Sequence, residues 1–331
     1  MKPKQQWIQQ GYIDEAIPDN IDLHKAIRAL CEEKNAVILA HYYVDSAIQQ
    51  VADFVGDSLA LARQAAQTKA DIIVMCGVHF MAETCKLLCP DKLVLLPDNN
   101  AGCSLADSCN AQQLKEWKQQ HPDYKVVSYV NTTAAVKALT DIVCTSGNAL
   151  KVVQSMPENE KILFAPDYNL GAYINSLTGR QMTLWHGGCH VHERFSIKAL
   201  INLKQQHPQA KVLAHPECKA HILAAADVVG STAVLLQYVT QHPRQKEFII
   251  ATEAGILHQM QQQCPNAMFY PVPPEISEAT TGCHCNECEY MKMNSMHKLY
   301  NTLKYEYPYV DLDKQLAHQA VKPIERMLEI K

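Results

Sequence analysis

No stretch of this chain comes near the roughly 20 consecutive apolar residues needed to cross a bilayer, and its start, "MKPKQQWIQQGYIDEAIPDN", lacks the apolar stretch of a signal peptide. The expectation is a cytoplasmic protein with no membrane partner. A basic excess is also missing: 30 Lys and Arg against 34 Asp and Glu leave a net charge of −4, which argues against nucleic acid as a partner. Charge is sparse altogether, at 19% of residues against 47% hydrophobic, so the chain can bury a large core. Its 331 residues suffice for two or three compact units.

Cysteine, by contrast, is abundant. There are 13, an odd number, and a reducing compartment disfavours a disulfide framework. Cys31, Cys76 and Cys144 stand in apolar surroundings and read as small core hydrophobes. The remainder invite a metal or cluster reading. The densest group lies in "TTGCHCNECEYMKMN", where Cys283, Cys285 and Cys288 fall within six positions.

Short apolar runs recur. "NAVILAHYY", "YKVVSYVNTT" and "AKVLAHPECK" form one set, "ADIIVMCGVHFMAE", "TDIVCTSGNALKVV" and "ADVVGSTAVLLQYV" a second, and "KLVLLPDNNAG", "KILFAPDYNLG" and "EFIIATEAGIL" a third. Amphipathic segments such as "DSLALARQAAQTK" separate them, the pattern of parallel α/β units. Val126 and Val212, Asp141 and Asp227, Ile162 and Phe248, and Cys103 and Cys189 are each 86 residues apart. A repeat that long is a whole domain. The expected fold is α/β, with three homologous α/β/α domains around a pseudo-threefold axis and the active site at the centre. The expected boundaries are 1–104, 105–190 and 191–288, with residues 289–331 returning to the first domain.

Polar, potentially reactive residues cluster where the first runs end: His41, Tyr42 and Tyr43 in "AHYYVD"; Tyr129, Val130 and Asn131 in "YVN"; His215, Glu217 and Cys218 in "HPEC". Ligands bind at the carboxyl ends of strands in open α/β sheets, so these positions point to a common cavity suited to proton transfer on a small polar substrate. Ser58, Ser146 and Thr232 open helical segments, where hydroxyls and free amides suit carboxylate or phosphate, or simply cap the helix. Cys103 follows "NNAG" and Cys189 follows "WHGG", and glycine permits close backbone approach to a cluster.

The ordered segments "LAHYY", "ADFVGDSLALAR", "CGVHFMAET", "YVNTTAAVKA", "CTSGNA", "GGCHVHE", "AHPEC", "GSTAVLL" and "EYMKMN" resemble those of quinolinate synthase, an enzyme family of NAD biosynthesis, over nearly the full length. The resemblance implies a [4Fe-4S] cluster held by three cysteines, here Cys103, Cys189 and Cys288. It implies condensation of iminosuccinate with dihydroxyacetone phosphate to quinolinate, phosphate and two waters, and a functional link to L-aspartate oxidase as the iminosuccinate source. Carried over residue by residue, it places substrate on His41, Ser58, Tyr129, Val130, Asn131, Ser146, His215, Pro216, Glu217 and Thr232. Glu217 is expected as the general base, His41 and Tyr43 as aids to proton transfer, and His192 behind Cys189. This chain has C-x-C-x2-C where some relatives have C-x2-C-x2-C; a disulfide between Cys285 and Cys288 would remove a cluster ligand. Two rivals stand beside this reading. One is a zinc knuckle of Cys283, His284, Cys285 and Cys288, cramped for a tetrahedral ion. The other is a non-enzymatic iron–sulfur sensor, for which the sequence offers no basic surface.

Overall fold

The computed structural model describes residues 3–275 and 286–330. Its strands form three separate parallel sheets of four. The first contains β1 (Ala36–His41), β2 (Phe54–Gly56), β3 (Ile72–Cys76) and β4 (Leu93–Leu95), in the order β2-β1-β3-β4. The second contains β5 (Tyr124–Tyr129), β6 (Ile142–Cys144), β7 (Lys161–Ala165) and β8 (Thr183–Leu184), in the order β6-β5-β7-β8. The third contains β9 (Lys211–Ala214), β10 (Val228–Val229), β11 (Glu247–Ala251) and β12 (Met268–Pro271), in the order β10-β9-β11-β12. All three sheets thus share one topology. The central strands are continuous apolar runs because helices cover both faces of a parallel sheet; β3 is buried at every residue.

One aspartate per sheet locks the same joint. Asp53 accepts the backbone N–H of Ile38 at 2.8 Å, Asp141 that of Val126 at 2.9 Å and Asp227 that of Val212 at 2.8 Å. This corrects the repeat as read from sequence. In the first unit the partner of β6 and β10 is the three-residue β2, preceded by Asp53, rather than the run "ADIIVMCG", which is β3. "KLVLLPDNNAG" likewise contains β4, the partner of β8 and β12. The strongly apolar β3 outweighed the short, half-buried β2 in the hydrophobic pattern.

Buried residues of the first and second sheets, including Ile38, Val74, Val127 and Phe164, form one continuous core with Leu299 and Ile324. Cys31, Cys76 and Cys144 belong to it. Two further clusters cover the faces of the third sheet, and Tyr42 enters one of them from the end of β1. After the third sheet, the helix Met296–Tyr305 packs on the helix Leu23–Glu33. Val310 then donates its N–H to Val94 O on β4 at 2.9 Å. The last helix, Lys314–Glu329, lies against the helix Ala134–Lys137 and β6, so the C-terminal segment reaches the second sheet as well as the first. No helix among the described residues is long and apolar enough to cross a membrane.

Candidate active site and metal centre

The carboxyl ends of the three first strands open on a single cavity. His41 and Tyr43, Tyr129 and Asn131, and His215 and Glu217 line it as three pairs, each two residues apart in sequence. In two of them the backbone folds back on the imidazole. The N–H of Tyr43 donates to His41 Nδ1 at 3.2 Å, and the N–H of Glu217 to His215 Nδ1 at 3.4 Å. An accepting Nδ1 leaves the proton on Nε2. Burial pushes both imidazoles down to about 3, against the pull of Glu217, so both are neutral donors at ordinary pH. Val130 and Pro216 lie between the paired residues, buried, and do not line the cavity.

The second strands supply the hydroxyls. Ser58, Ser146 and Thr232 all line the cavity. Two are relieved of capping: Asp57 caps the helix Ser58–Gln67 by accepting from Ala60 N, and Ser231 caps Thr232–Gln241 by accepting from Val234 N. Ser146 Oγ lies 3.2 Å from His215 Nε2, and Thr232 Oγ1 lies 2.9 Å from the Tyr43 hydroxyl.

The fourth strands lead to the cysteines. Cys103, Cys189 and Cys288 follow β4, β8 and β12 in turn, and all three line the cavity. For each, the backbone N–H three residues on lies close enough to draw the thiol pKa down: Ala106, His192 and Met291. Burial outweighs this pull, raising Cys103 to about 12, Cys288 to about 11 and Cys189 well above the usual range. Each thiol also interacts electrostatically with the others. Three half-buried cysteines on one cavity wall, each with an oriented N–H, are costly as free thiolates and well suited to a cationic metal centre. Of the two glycines before Cys189, Gly187 packs against the loop at Pro166 and Gly188 against the Glu193 side chain. A Cβ on Gly187 would stand 2.5 Å from Pro166 O, and the Gly187 N–H donates to that oxygen at 3.1 Å. Cys283, His284 and Cys285 lie outside the described residues.

Glu217 is the hub. It is buried; the Tyr129 hydroxyl donates to its Oε1 at 2.5 Å, and His192 Nδ1 lies 3.0 Å from its Oε2. Burial alone would raise this carboxyl, but the histidines and the Tyr129 hydrogen bond hold it well below the usual carboxylate range. His192 Nδ1 also stands 3.2 Å from Cys189 Sγ. Donor atoms of Cys189, His192 and Glu217 lie within 4.8 Å of one another, a set able to hold a metal ion. Tyr43 and Tyr129, buried, keep their protons far above pH 10.

Glu253 and Thr252, which the sequence reading passed over, complete the site. Glu253 lines the cavity, accepts the N–H of Cys288 at 3.0 Å and that of Gly255 at 2.7 Å, and is pushed up to about 8 by burial. Thr252 is fully buried, its hydroxyl 2.9 Å from Tyr43 OH and 3.0 Å from His192 Nε2. The signal for Glu253 was present. It stands 86 residues after Asp167, and both follow the third strand of their sheet.

A family model described as Quinolinate synthetase A protein matches residues 25–329. The chain is similar to the quinolinate synthase of Nostoc sp., 54% identical over 310 residues that cover 94% of each chain. It is similar also to that of Synechocystis sp., 54% identical over 93% of this chain and 95% of the relative. The quinolinate synthase of Thermosynechococcus vestitus is 53% identical over 95% and 97% respectively.

Proposed function

The chain belongs to the quinolinate synthase family, enzymes of NAD biosynthesis, and from that premise we propose that it condenses iminosuccinate with dihydroxyacetone phosphate to give quinolinate, phosphate and two waters. The observation that carries this reading is the meeting of three fourth-strand cysteines with three first-strand polar pairs in one cavity. Cys103, Cys189 and Cys288 would hold a [4Fe-4S] cluster. Bound by three thiolates, such a cluster supplies a Lewis-acidic iron with an open position, suited to the loss of hydroxyl groups.

The chain's own residues account for the rest. Glu217, ionised and set between Tyr129 and His192, takes protons from carbon during condensation and ring closure. Tyr43 and Tyr129 stay protonated and serve as donors. The neutral His41 and His215 offer Nε2–H to carboxylate oxygens, as donors that orient substrate. Ser58, Ser146 and Thr232 hold carboxylate or phosphate oxygens from the second-strand side. Asn131 adds an amide to the same wall. An enzyme that forms an unstable imino dicarboxylate must supply the first substrate, which agrees with an L-aspartate oxidase link.

Anaerobic purification tests the reading. A brown protein with about four irons and four sulfides per chain, forming quinolinate from the two substrates, supports it. The proximity of Cys189, His192 and Glu217 favours one other arrangement, a single metal ion without sulfide. One metal, no acid-labile sulfide and no colour would replace the cluster with that site.

A further inference from the structure

The substrates named above carry carboxylates and a phosphate, yet the cavity that would take them has no lysine or arginine in its wall among the described residues. It presents acidic side chains instead, Asp57, Glu217 and Glu253, of which burial keeps Glu253 largely protonated at neutral pH. Hydroxyls and neutral imidazoles can bond to an anion, but they do not neutralise it.

Directly behind that wall lies Lys137, fully buried and alone among the described lysines and arginines in being so. Its Nζ donates to Val130 O at 2.9 Å and to Thr132 O. It sits 5.5 Å from the centre of the Phe80 ring. Asn131, between those two carbonyls, lines the cavity, as does Phe80. The Asn131 Oδ1 is buried without a protein partner. The ammonium thus grips both sides of the residue that faces substrate. Burial pushes Lys137 down to about 8, opposed by Glu83 on the adjoining helix and by Cys103, so it keeps its proton at neutral pH. Glu83 is itself engaged, accepting the N–H of Ala134 at 2.9 Å.

We propose that Lys137 is a positioning residue for anionic substrate: it fixes the Tyr129–Thr132 turn from behind and supplies through it the positive charge that the cavity wall lacks. The inference rests on the substrates proposed above. A lysine that only braced the turn would feel no anion in the cavity. One that stabilises the anion must, by linkage, be stabilised in its charged form by that anion to the same degree.

The parent holoenzyme, kept anaerobic and labelled with ¹³C-lysine, decides between these. One ε-methylene resonance should titrate near 8, and quinolinate, the probe, should raise that midpoint by about one unit, equivalent to about tenfold tighter binding by the charged form. Lys137→Met should remove the resonance, weaken quinolinate binding about tenfold and keep the cluster absorption; Lys137→Arg should recover affinity. A midpoint identical with and without quinolinate overturns the proposal. So does a folded Lys137→Met protein with the parent dissociation constant. If the methionine variant does not fold, the titration of the parent still decides. A parent that neither forms nor binds quinolinate would strike at the proposed reaction instead.

Discussion

The Tyr129 hydroxyl lies 2.5 Å from Glu217 Oε1, joining the first strand of the second sheet to the loop that follows the first strand of the third. Both groups are buried, and His192, His215 and this bond together hold Glu217 ionised against the cost of burial. Glu217→Gln keeps the shape and removes the base. Its cluster and its affinity for quinolinate should persist while kcat falls by about 10²–10⁴. Parent turnover in the glutamine variant would show that the base is another group of the cavity wall.

The cysteines divide sharply. Cys103, Cys189 and Cys288 share the cavity wall, whereas Cys31, Cys76 and Cys144 sit in apolar core. Alanine at any of the first three should abolish the visible sulfur-to-iron absorption and activity together. Cys144→Ala should keep both and lose only stability, by the roughly 1 kcal/mol expected for a small core truncation. A coloured, iron-replete Cys288→Ala protein would show that the third ligand lies elsewhere, with Cys283 and Cys285 next to test.

How much of this was legible beforehand follows from the kind of signal each residue left. The 86-residue spacing made the second and third sheets plain, because β5 with β9 and β7 with β11 are strongly apolar and identically placed. The first sheet was misaligned because β2 is only three residues long and its marker, Asp53, reports through a backbone hydrogen bond that has no hydropathy signature. Lys137 was hidden differently. In "AAVKALT" it reads as the polar side of an amphipathic helix, and its burial comes from the Val130–Thr132 turn and from Phe80 on the helix His79–Leu88, contacts that no local pattern announces. Val130 and Pro216, carried over with their neighbours as contact positions, are buried in the turns that follow β5 and β9 and are not in the cavity wall, where only the residues on either side of each stand.

His41 and His215 make the protein sensitive to acid. Each has a folded pKa of about 3 against an ordinary 6.5, so between those values the unfolded chain binds protons that the folded chain refuses. Stability is therefore full above about pH 6.5 and lost as pH falls toward 3, at up to about 1.4 kcal/mol per pH unit for each histidine. Thermal midpoints measured from pH 7 to 5 should decline, and His41→Gln should decline less steeply. Parallel slopes for parent and variant would mean that His41 is not held neutral by the fold.

Glu253 ties Cys288 to the end of β11 through two backbone N–H groups, one on each carboxylate oxygen. Glutamine offers one acceptor oxygen for two donors, so Glu253→Gln should loosen the Cys288 loop while leaving the sheets intact. The expected result is a protein that reconstitutes anaerobically but loses iron to a chelator several-fold faster than the parent, since supporting hydrogen bonds typically contribute about 10–100-fold in metal affinity. Equal rates of iron loss would assign Glu253 to the substrate side of the cavity alone.

Thr252 links Tyr43 to Glu217. The chain runs from the Tyr43 hydroxyl to Thr252 Oγ1 at 2.9 Å, to His192 Nε2 at 3.0 Å, and from His192 Nδ1 to Glu217 Oε2 at 3.0 Å. Its polarity is consistent throughout. Nδ1–H donates to the carboxylate, Nε2 accepts from threonine, and threonine accepts from tyrosine. Such a chain lets Glu217 and Tyr43 exchange protons without water, and Thr252 is the one link with no acid–base chemistry of its own. Thr252→Val keeps the volume and deletes the hydroxyl. It should cost about 1–3 kcal/mol of stability through the unpaired partners. It should also lower kcat about tenfold or more at nearly unchanged KM, with iron content preserved and Thr252→Ser restoring turnover. A valine variant with parent kcat would reduce the chain to a structural brace, because breaking its middle would then have left proton transfer untouched.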